Sequence, residues 1–503
     1  MTRIRKSATL VLAGASCLSL VAACGSSSGS SATSTSSAPT TSSAPATSAA
    51  AATSAATSAP APAASASGSA PSVAPSSAAA LAPASITVAI DSGLQPDAKK
   101  AIDTQITQFE AKYPTIKAKT VEYTWTGTTF AAKLAGGTLP TVFTVPFTDG
   151  RGLIARKQVA DVSAEIAKLP YGAKFNPSVA VEGEDASGKL EAVPISAYGQ
   201  ALHYNRDLFT KAGLDPNKPP TTWDELRADA KAISDKTGMA GYAVMTQSNT
   251  GGWILTTEAY AMGGRMETMN GTKATAAVNN PQTKQVLKLL HDMRWTDKSM
   301  GSNFIYDWNG INQAFAAGKI GMYITGGGTY TNLVTQNKID PKTYGEGVIP
   351  LSGTNSGALG GGTVAMVSVK ASAAQQAAAV KWIDFYYMAK LTTQAGAALD
   401  AKTNADNKQP VGAPQLPVFD KATYDEQQGW IKQWVNVPLA QMKPYTDAAA
   451  AQPLIPEPGV ATQDLYAALD PVVQAVLTNK NANVDSLLSA ANQKAQTAIG
   501  KAS

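Results

Sequence analysis

Residues 7–90 carry no charged side chain at all. This gap limits the fold more than any other feature, because from residue 25 to 84 it is filled almost wholly by Ser, Ala, Thr, Pro and Gly. Side chains this small bury too little apolar surface to offset the entropy of ordering their backbone. A packed core is therefore expected only from about residue 85. The charges agree: of the 41 Lys and Arg and 36 Asp and Glu, only Arg3, Arg5 and Lys6 precede Asp91.

The uncharged gap divides in two. Arg3, Arg5 and Lys6 open the chain, and residues 8–23 are apolar and end in small side chains. That is the layout of a secretory signal, and it is short for a transmembrane helix. Val21-Ala22-Ala23-Cys24, followed by Gly25 and Ser26, resembles a bacterial lipobox, in which the Cys is lipidated and becomes the new N-terminus. The expectation is a signal peptide over 1–23 and a membrane anchor at Cys24; an ordinary signal peptide with a chance Cys is the alternative. Residues 24–84 read as a disordered tether. As flexible coil, about 60 residues span roughly 40–45 Å. A spacer of required length and low-complexity drift fit this composition equally, and Ser and Thr with Pro also permit O-glycosylation.

Several function classes are excluded. The net charge is +5, and three of the positive charges lie in the first six residues, so the rest is near neutrality. No electrostatic footprint for nucleic acid remains. The only cysteines are Cys17 and Cys24, which leaves neither a disulfide framework nor a thiolate zinc site in the folded part. His203 and His291 are the only histidines, and HExxH is absent. No metal and no cofactor are expected. G-x-S-x-G and G-x-x-x-x-G-K-[ST] are also absent, which disfavours a serine hydrolase and a P-loop enzyme.

From residue 85 the pattern alternates. Ser85–Ser92 is β-branched, and Ile102, Ile106, Phe109 and Tyr113 then recur on one helical face until Pro114. Residues 116–123 alternate as a strand, Phe130–Leu134 suggests a helix, and Thr141–Phe147 a third strand. Strands alternating with helices predict an α/β fold with a parallel sheet. Ligands of open α/β sheets sit beyond the carboxyl ends of strands, and Asp91, Trp125, Thr148 and Asp149 stand just past predicted strands. Thr222 caps a predicted helix with acids in its first turn. A helix holding Phe315 passes through Gly318 into a strand that ends at Gly326-Gly327-Gly328. Gly360–Gly362 precede another strand, 373–390 read as a helix, and 464–499 as two helices split near Asn481.

Leu202–Leu214 followed by Pro219–Leu226 resembles a stretch of bacterial extracellular solute-binding proteins, the sugar-binding branch that serves ABC importers. Phe315–Tyr330, Gly360–Val369 with the helix through Trp382, and Leu465–Ala495 resemble further family segments in the same order. The resemblance covers about residues 85–500. It implies two α/β lobes (type II periplasmic-binding-protein-like) with ligand in the cleft between: lobe 1 about 85–197 and 361–415, lobe 2 about 199–358 plus a C-terminal part. The first crossover would lie near Pro194–Tyr198. The second would be Gly360–Gly362, where glycine tolerates dihedral change at a hinge.

Within the resemblance, Trp253 matches a stacking aromatic, Tyr198 a cleft position at the crossover and Asp149 an acidic ligand-binding position. A sugar offers apolar C–H faces to aromatic rings and a hydroxyl rim to carboxylates and amides. Asp307 and Trp308 lie in another loop, before the helix with Phe315. For Trp125, Tyr198 and Trp308, ligand contact and packing are equally open; Asp91 fits a turn cap as well as a ligand contact. Trp223 and Trp382 read as structural, and packing is favoured for Trp430 and Trp434. The maltose-binding branch carries a Trp where Gly328 stands here, with Tyr330 a partial substitute, which argues against maltodextrin while leaving carbohydrate.

The function implied is a non-enzymatic, lipid-anchored, monomeric receptor on the extracytoplasmic face of the cell membrane. It would capture a sugar or small oligosaccharide and deliver it to ABC permease subunits. A secreted carbohydrate-active enzyme with two catalytic acids, and a sensor or adhesin ectodomain on the same fold, are the rivals.

Overall fold

The computed structural model describes residues 81–502 apart from 93, 95, 271, 272, 327 and 328. The expected signal peptide, Cys24, the tether up to residue 80, and Gly327 and Gly328 lie outside the described residues. Among the described residues there are eleven strands: β1 (Ala84–Ile90), β2 (Ile116–Glu122), β3 (Val142–Pro146), β4 (Val193–Asn205), β5 (Ala240–Tyr242), β6 (Glu267–Asn270), β7 (Lys273–Ala276), β8 (Ile320–Gly326), β9 (Tyr344–Val348), β10 (Ala358–Val367) and β11 (Leu454–Pro456). Nine of them join in the order β2-β1-β3-β10-β4-β8-β5, with β11 on β10 and β9 on β4, and β6 and β7 form a separate ribbon.

The first three strands follow the βαβ expectation. β1 is parallel to both β2 and β3, and the helices Pro96–Lys112 and Gly127–Ala135 make the crossovers. Ile102 and Phe109 of the first helix are buried, as their spacing predicts. The sheet as a whole is mixed, not parallel. β10 is antiparallel to β3 and β4, and β4 is antiparallel to β8 and β9. Connectivity is the reason: β10 returns from the second lobe and enters the first from the opposite end.

Helix starts were readable from local chemistry. The Thr222 side chain accepts from the Glu225 N–H at 3.2 Å, while Glu225 accepts from the Thr222 N–H at 3.1 Å, a reciprocal capping box that opens the Trp223–Thr237 helix. The helix expected over 373–390 is interrupted. It runs regularly over Ala373–Ile383 and then widens into a π-turn at Asp384–Met388, a distortion frequent at functional sites.

Two hydrophobic cores form. One gathers Ile86, Phe109, Phe143, Val193, Ala197, Val364 and Trp382; the other gathers Leu202, Trp223, Phe315, Tyr344, Leu359, Leu465 and Leu488. The chain passes from the first core to the second between Ala197 and Tyr198, and returns between Leu359 and Val364. Near Val435 and Val437 it crosses again, beside a small cluster of Ala397, Ala401, Val411 and Ile431 that Trp430 and Trp434 cover. In β11, Leu454 packs on the first core and Ile455 in the second, so this strand lies on the boundary.

The three glycines of the return crossing have a steric role. A Cβ at Gly361 would lie 2.3 Å from the Tyr198 Oη, at Gly362 2.2 Å from the Ser196 carbonyl, and at Gly360 2.4 Å from Leu454 Cδ1. None of the three has positive φ. Close packing therefore requires small residues here, Gly361 against Tyr198, Gly362 against Ser196 and Phe147, and Gly360 against Leu454.

Candidate ligand cleft

The first lobe contributes the turns that end β2 and β3. After β2, Thr126 Oγ1 accepts the Thr129 N–H at 3.1 Å and caps the Gly127–Ala135 helix. Trp125 therefore stands at the turn, its ring 5.0 Å from that of Phe130. β3 leads directly into the Phe147–Ala155 helix, which places Thr148 and Asp149 in its first turn. The Thr148 hydroxyl donates to Asp149 Oδ2 at 2.8 Å. Burial pushes the Asp149 carboxyl up, against hydrogen bonds from Thr148 and the Trp125 indole and the charge of Arg156. Glu182, on the turn Val181–Gly183, is 2% exposed. Burial raises it to about 7, with Arg151 pulling the other way. Burial pushes up the hydroxyls of Tyr386 and Tyr387 in the π-turn; the charge of Asp91, exposed beyond β1, adds to the rise of Tyr386, and Tyr386 and then Asp91 add to that of Tyr387.

The second lobe contributes Trp253, 7% exposed on the Thr250–Ala261 helix. The residues before this helix, Ser248 and Asn249, have φ of 57° and 66°, a left-handed conformation that costs free energy in a non-glycine residue. Asp470 holds them there. Its Oδ2 accepts the Asn249 N–H at 2.8 Å and its Oδ1 the Gly252 N–H at 2.8 Å. At Gly252 the helix meets the Tyr466 backbone so closely that a Cβ would sit 2.2 Å from its carbonyl oxygen.

Glu457 completes the group, immediately after β11 in Pro456-Glu457-Pro458. The Tyr466 hydroxyl donates to its Oε1 at 3.1 Å. Burial raises the Glu457 carboxyl to about 8, with hydrogen bonds from Tyr466 and the Trp253 indole opposing and the charges of Glu182 and Asp149 adding to the rise. Glu267 fixes the loop by accepting from the Gly459 N–H at 2.9 Å and the Val460 N–H at 3.2 Å. The Tyr198 hydroxyl is pushed well up by burial and by Glu457.

Trp125, Thr148, Asp149, Tyr198 and Trp253 are thus brought into one electrostatic neighbourhood with Glu182, Glu457 and Tyr466. The other candidates lie elsewhere. Asp307 Oδ1 accepts the Gly310 N–H at 2.7 Å and caps the Trp308–Ala316 helix. Trp308 is half-buried against the second core. Tyr330 is 2% exposed, its ring 4.9 Å from that of Tyr344 inside that core. Asp91 keeps company with Tyr386 and Tyr387. Sequence reasoning missed Glu182, Glu457, Tyr466 and Asp470. Only Glu457 carried a local signal, a lone acid whose backbone is restricted by a proline on each side.

Among the described residues, no group of three or more His, Cys, Asp and Glu is arranged to hold a metal ion, and no helix is long and apolar enough to cross a membrane.

The sequence matches the family described as bacterial extracellular solute-binding protein over residues 104–404. The sn-glycerol-3-phosphate-binding periplasmic protein UgpB of Salmonella typhi is 32% identical over 192 residues, 37% of this chain and 41% of that protein. UgpB of Escherichia coli (strain K12) is 26% identical over 282 residues, 54% of this chain and 62% of that protein. The chain thus matches less than two thirds of the length of these relatives. The cyclic alpha-maltosyl-1,6-maltose binding protein from Arthrobacter globiformis superposes with a TM-score of 0.61 at 23% identity, covering 83% of this chain and 100% of that one. UgpB from Mycobacterium tuberculosis in complex with glycerophosphocholine superposes with a TM-score of 0.62 at 16% identity, covering 83% and 98%. With a family match over most of the folded part and a two-lobed α/β architecture shared with these structures, the chain belongs to the bacterial extracellular solute-binding proteins.

Proposed function

We propose that the protein is the substrate-capturing receptor of an ABC importer, and that it takes a sugar or small oligosaccharide between its lobes. One observation carries the reading. A tryptophan stands by a buried carboxylate on each side, Trp125 by Asp149 and Trp253 by Glu457, and the Asp149 charge adds to the rise of the Glu457 carboxyl. Rings suit the C–H faces of a sugar and carboxylates its hydroxyls. A phosphate fits less well. The helix N-terminus beside Trp253 is already taken by the Asp470 carboxylate, and the groups acting most strongly on Glu457 include no cation.

In this reading lobe 1 is about 85–197 with 361–415, and lobe 2 about 199–358 with a C-terminal part. Ligand closes the lobes, and the closed form docks on the permease. Residues 1–23 act as the signal, Cys24 as the lipid anchor and 24–84 as the tether, on the extracytoplasmic face of the membrane. The protein works as a monomer and performs no covalent step. A thermal-shift screen over sugars, with the ligand analysed afterwards, tests this: a stabilising sugar recovered unchanged is expected. A converted sugar would favour an enzyme, and stabilisation by non-carbohydrates alone would overturn the substrate class.

A further inference from the structure

Gln200 is 1% exposed, and among the described residues neither its Nε2 nor its Oε1 meets a hydrogen-bond partner. A buried amide unpaired at both ends is costly, which marks it for a role other than packing. Its place in the sheet says which role. Gln200 pairs in register with Gly326, the last residue of β8, and ligands of open α/β sheets sit beyond the carboxyl ends of strands. Tyr198 lies two residues earlier on β4, on the same face. A Cβ at Gly326 would lie 3.1 Å from Cδ2 of the Tyr198 ring, and one at Gly361, the β10 partner of Tyr198, 2.3 Å from its hydroxyl. The ring therefore lies along this face beside the amide, from β8 to β10. Both flanking positions are glycine, so neither offers the amide a side chain. On the far side the next residue of this face, Leu202, belongs to the second core. The amide thus stands between Tyr198 at the lobe crossing and an apolar core.

We propose that Gln200 recognises the captured solute. When the Tyr198 ring swings off Gly326, the amide donates through Nε2 and accepts through Oε1 at hydroxyls of the sugar. This rests on the receptor reading and adds a specificity-determining residue to it. A hydroxyl both donates and accepts, so hydroxyls satisfy both ends of the amide, whereas an anion would satisfy only Nε2 and a cation only Oε1. Tyr198 is the cover, and glycine at 326 and 361 keeps the path of its ring clear of side chains.

The test is calorimetric titration of the full-length protein with glucose, maltose and trehalose, beside melting curves taken without ligand. The native protein is compared with Gln200→Met, which keeps the length of the side chain, and with Gln200→Leu. Both variants remove the unpaired amide, so each is expected to melt at the native temperature or higher. The sugar that binds the native protein is expected to bind both about tenfold or more weaker. Undiminished stability with diminished affinity is a combination that a packing role does not produce. Native affinity in either folded variant would overturn the inference while leaving the sugar receptor standing. Lower melting temperatures in both variants would also overturn it, because the amide would then have a structural partner. A native protein that binds none of the three sugars would overturn the inference together with the sugar reading.

Discussion

At the scale of single residues, Trp253 has two jobs. Its indole opposes the rise of the Glu457 carboxyl, and its ring is almost wholly buried. Trp253→Ala is therefore expected to weaken ligand binding about tenfold or more and to lower stability by about 3 kcal/mol. Trp253→Phe separates these effects, since it keeps most of the packing and loses the N–H. Titration calorimetry beside thermal melts reads both.

Glu346 is a different kind of buried acid. It pairs in register with His203 across β4 and β9 in the second core, 1% exposed. Burial raises it from the ordinary 4.5 to about 8, with a hydrogen bond to Tyr344 opposing. His203, whose Nδ1 lies 2.7 Å from the Tyr344 hydroxyl, is lowered to about 4 by burial. Between pH 4.5 and about 8 the folded state holds a proton on Glu346 that the unfolded state has released. Stability from the neutral acid is complete below the unfolded value and is lost as pH rises through the folded one. Glu346→Gln should raise the unfolding free energy at pH 8–9 by about 1–3 kcal/mol, seen as a higher melting temperature, and flatten the decline with pH. An unchanged slope would show that Glu346 is already ionised in the fold.

At the scale of elements, the position of Trp253 depends on a helix crossing. The helices Thr250–Ala261 and Thr462–Thr478 touch backbone to backbone at Gly252, and Asp470 ties the first to the second. Gly252→Ala should push them apart and cost about 1–3 kcal/mol, read by chemical denaturation. Asp470→Asn keeps the size but loses the charge at a helix N-terminus, and about 1 kcal/mol with it. It should also loosen the strained Ser248–Asn249 turn, which faster amide exchange there would report. These dependencies explain what sequence could and could not convey. Phe109, Thr222 and Trp382 behave as their spacing and capping chemistry foretold, because those signals are local. Asp470 acts on residues more than 200 positions earlier, and Glu457 gains its partners only when β11 settles at the boundary. Tyr330 looked available next to three glycines, but the ring of Tyr344 takes it into the core.

At the scale of the whole molecule, alternation of strands and helices foretold the α/β class, and the order of family-like segments foretold two lobes. The antiparallel return of β10 was not legible, since strand direction in a shared sheet follows from which lobe the chain comes back from. β4 and β10 lie side by side where the chain changes core, with Tyr198 packed over Gly361. In the proposed receptor, closure about this pair would carry Trp125 and Asp149 toward Trp253 and Glu457, and affinity would belong to neither lobe alone. Titration calorimetry of a stabilising ligand against the native protein, Trp125→Ala and Trp253→Phe tests this most directly. Capture between the lobes predicts one saturable site in the native protein and weaker binding in both variants; native affinity in either variant would contradict it.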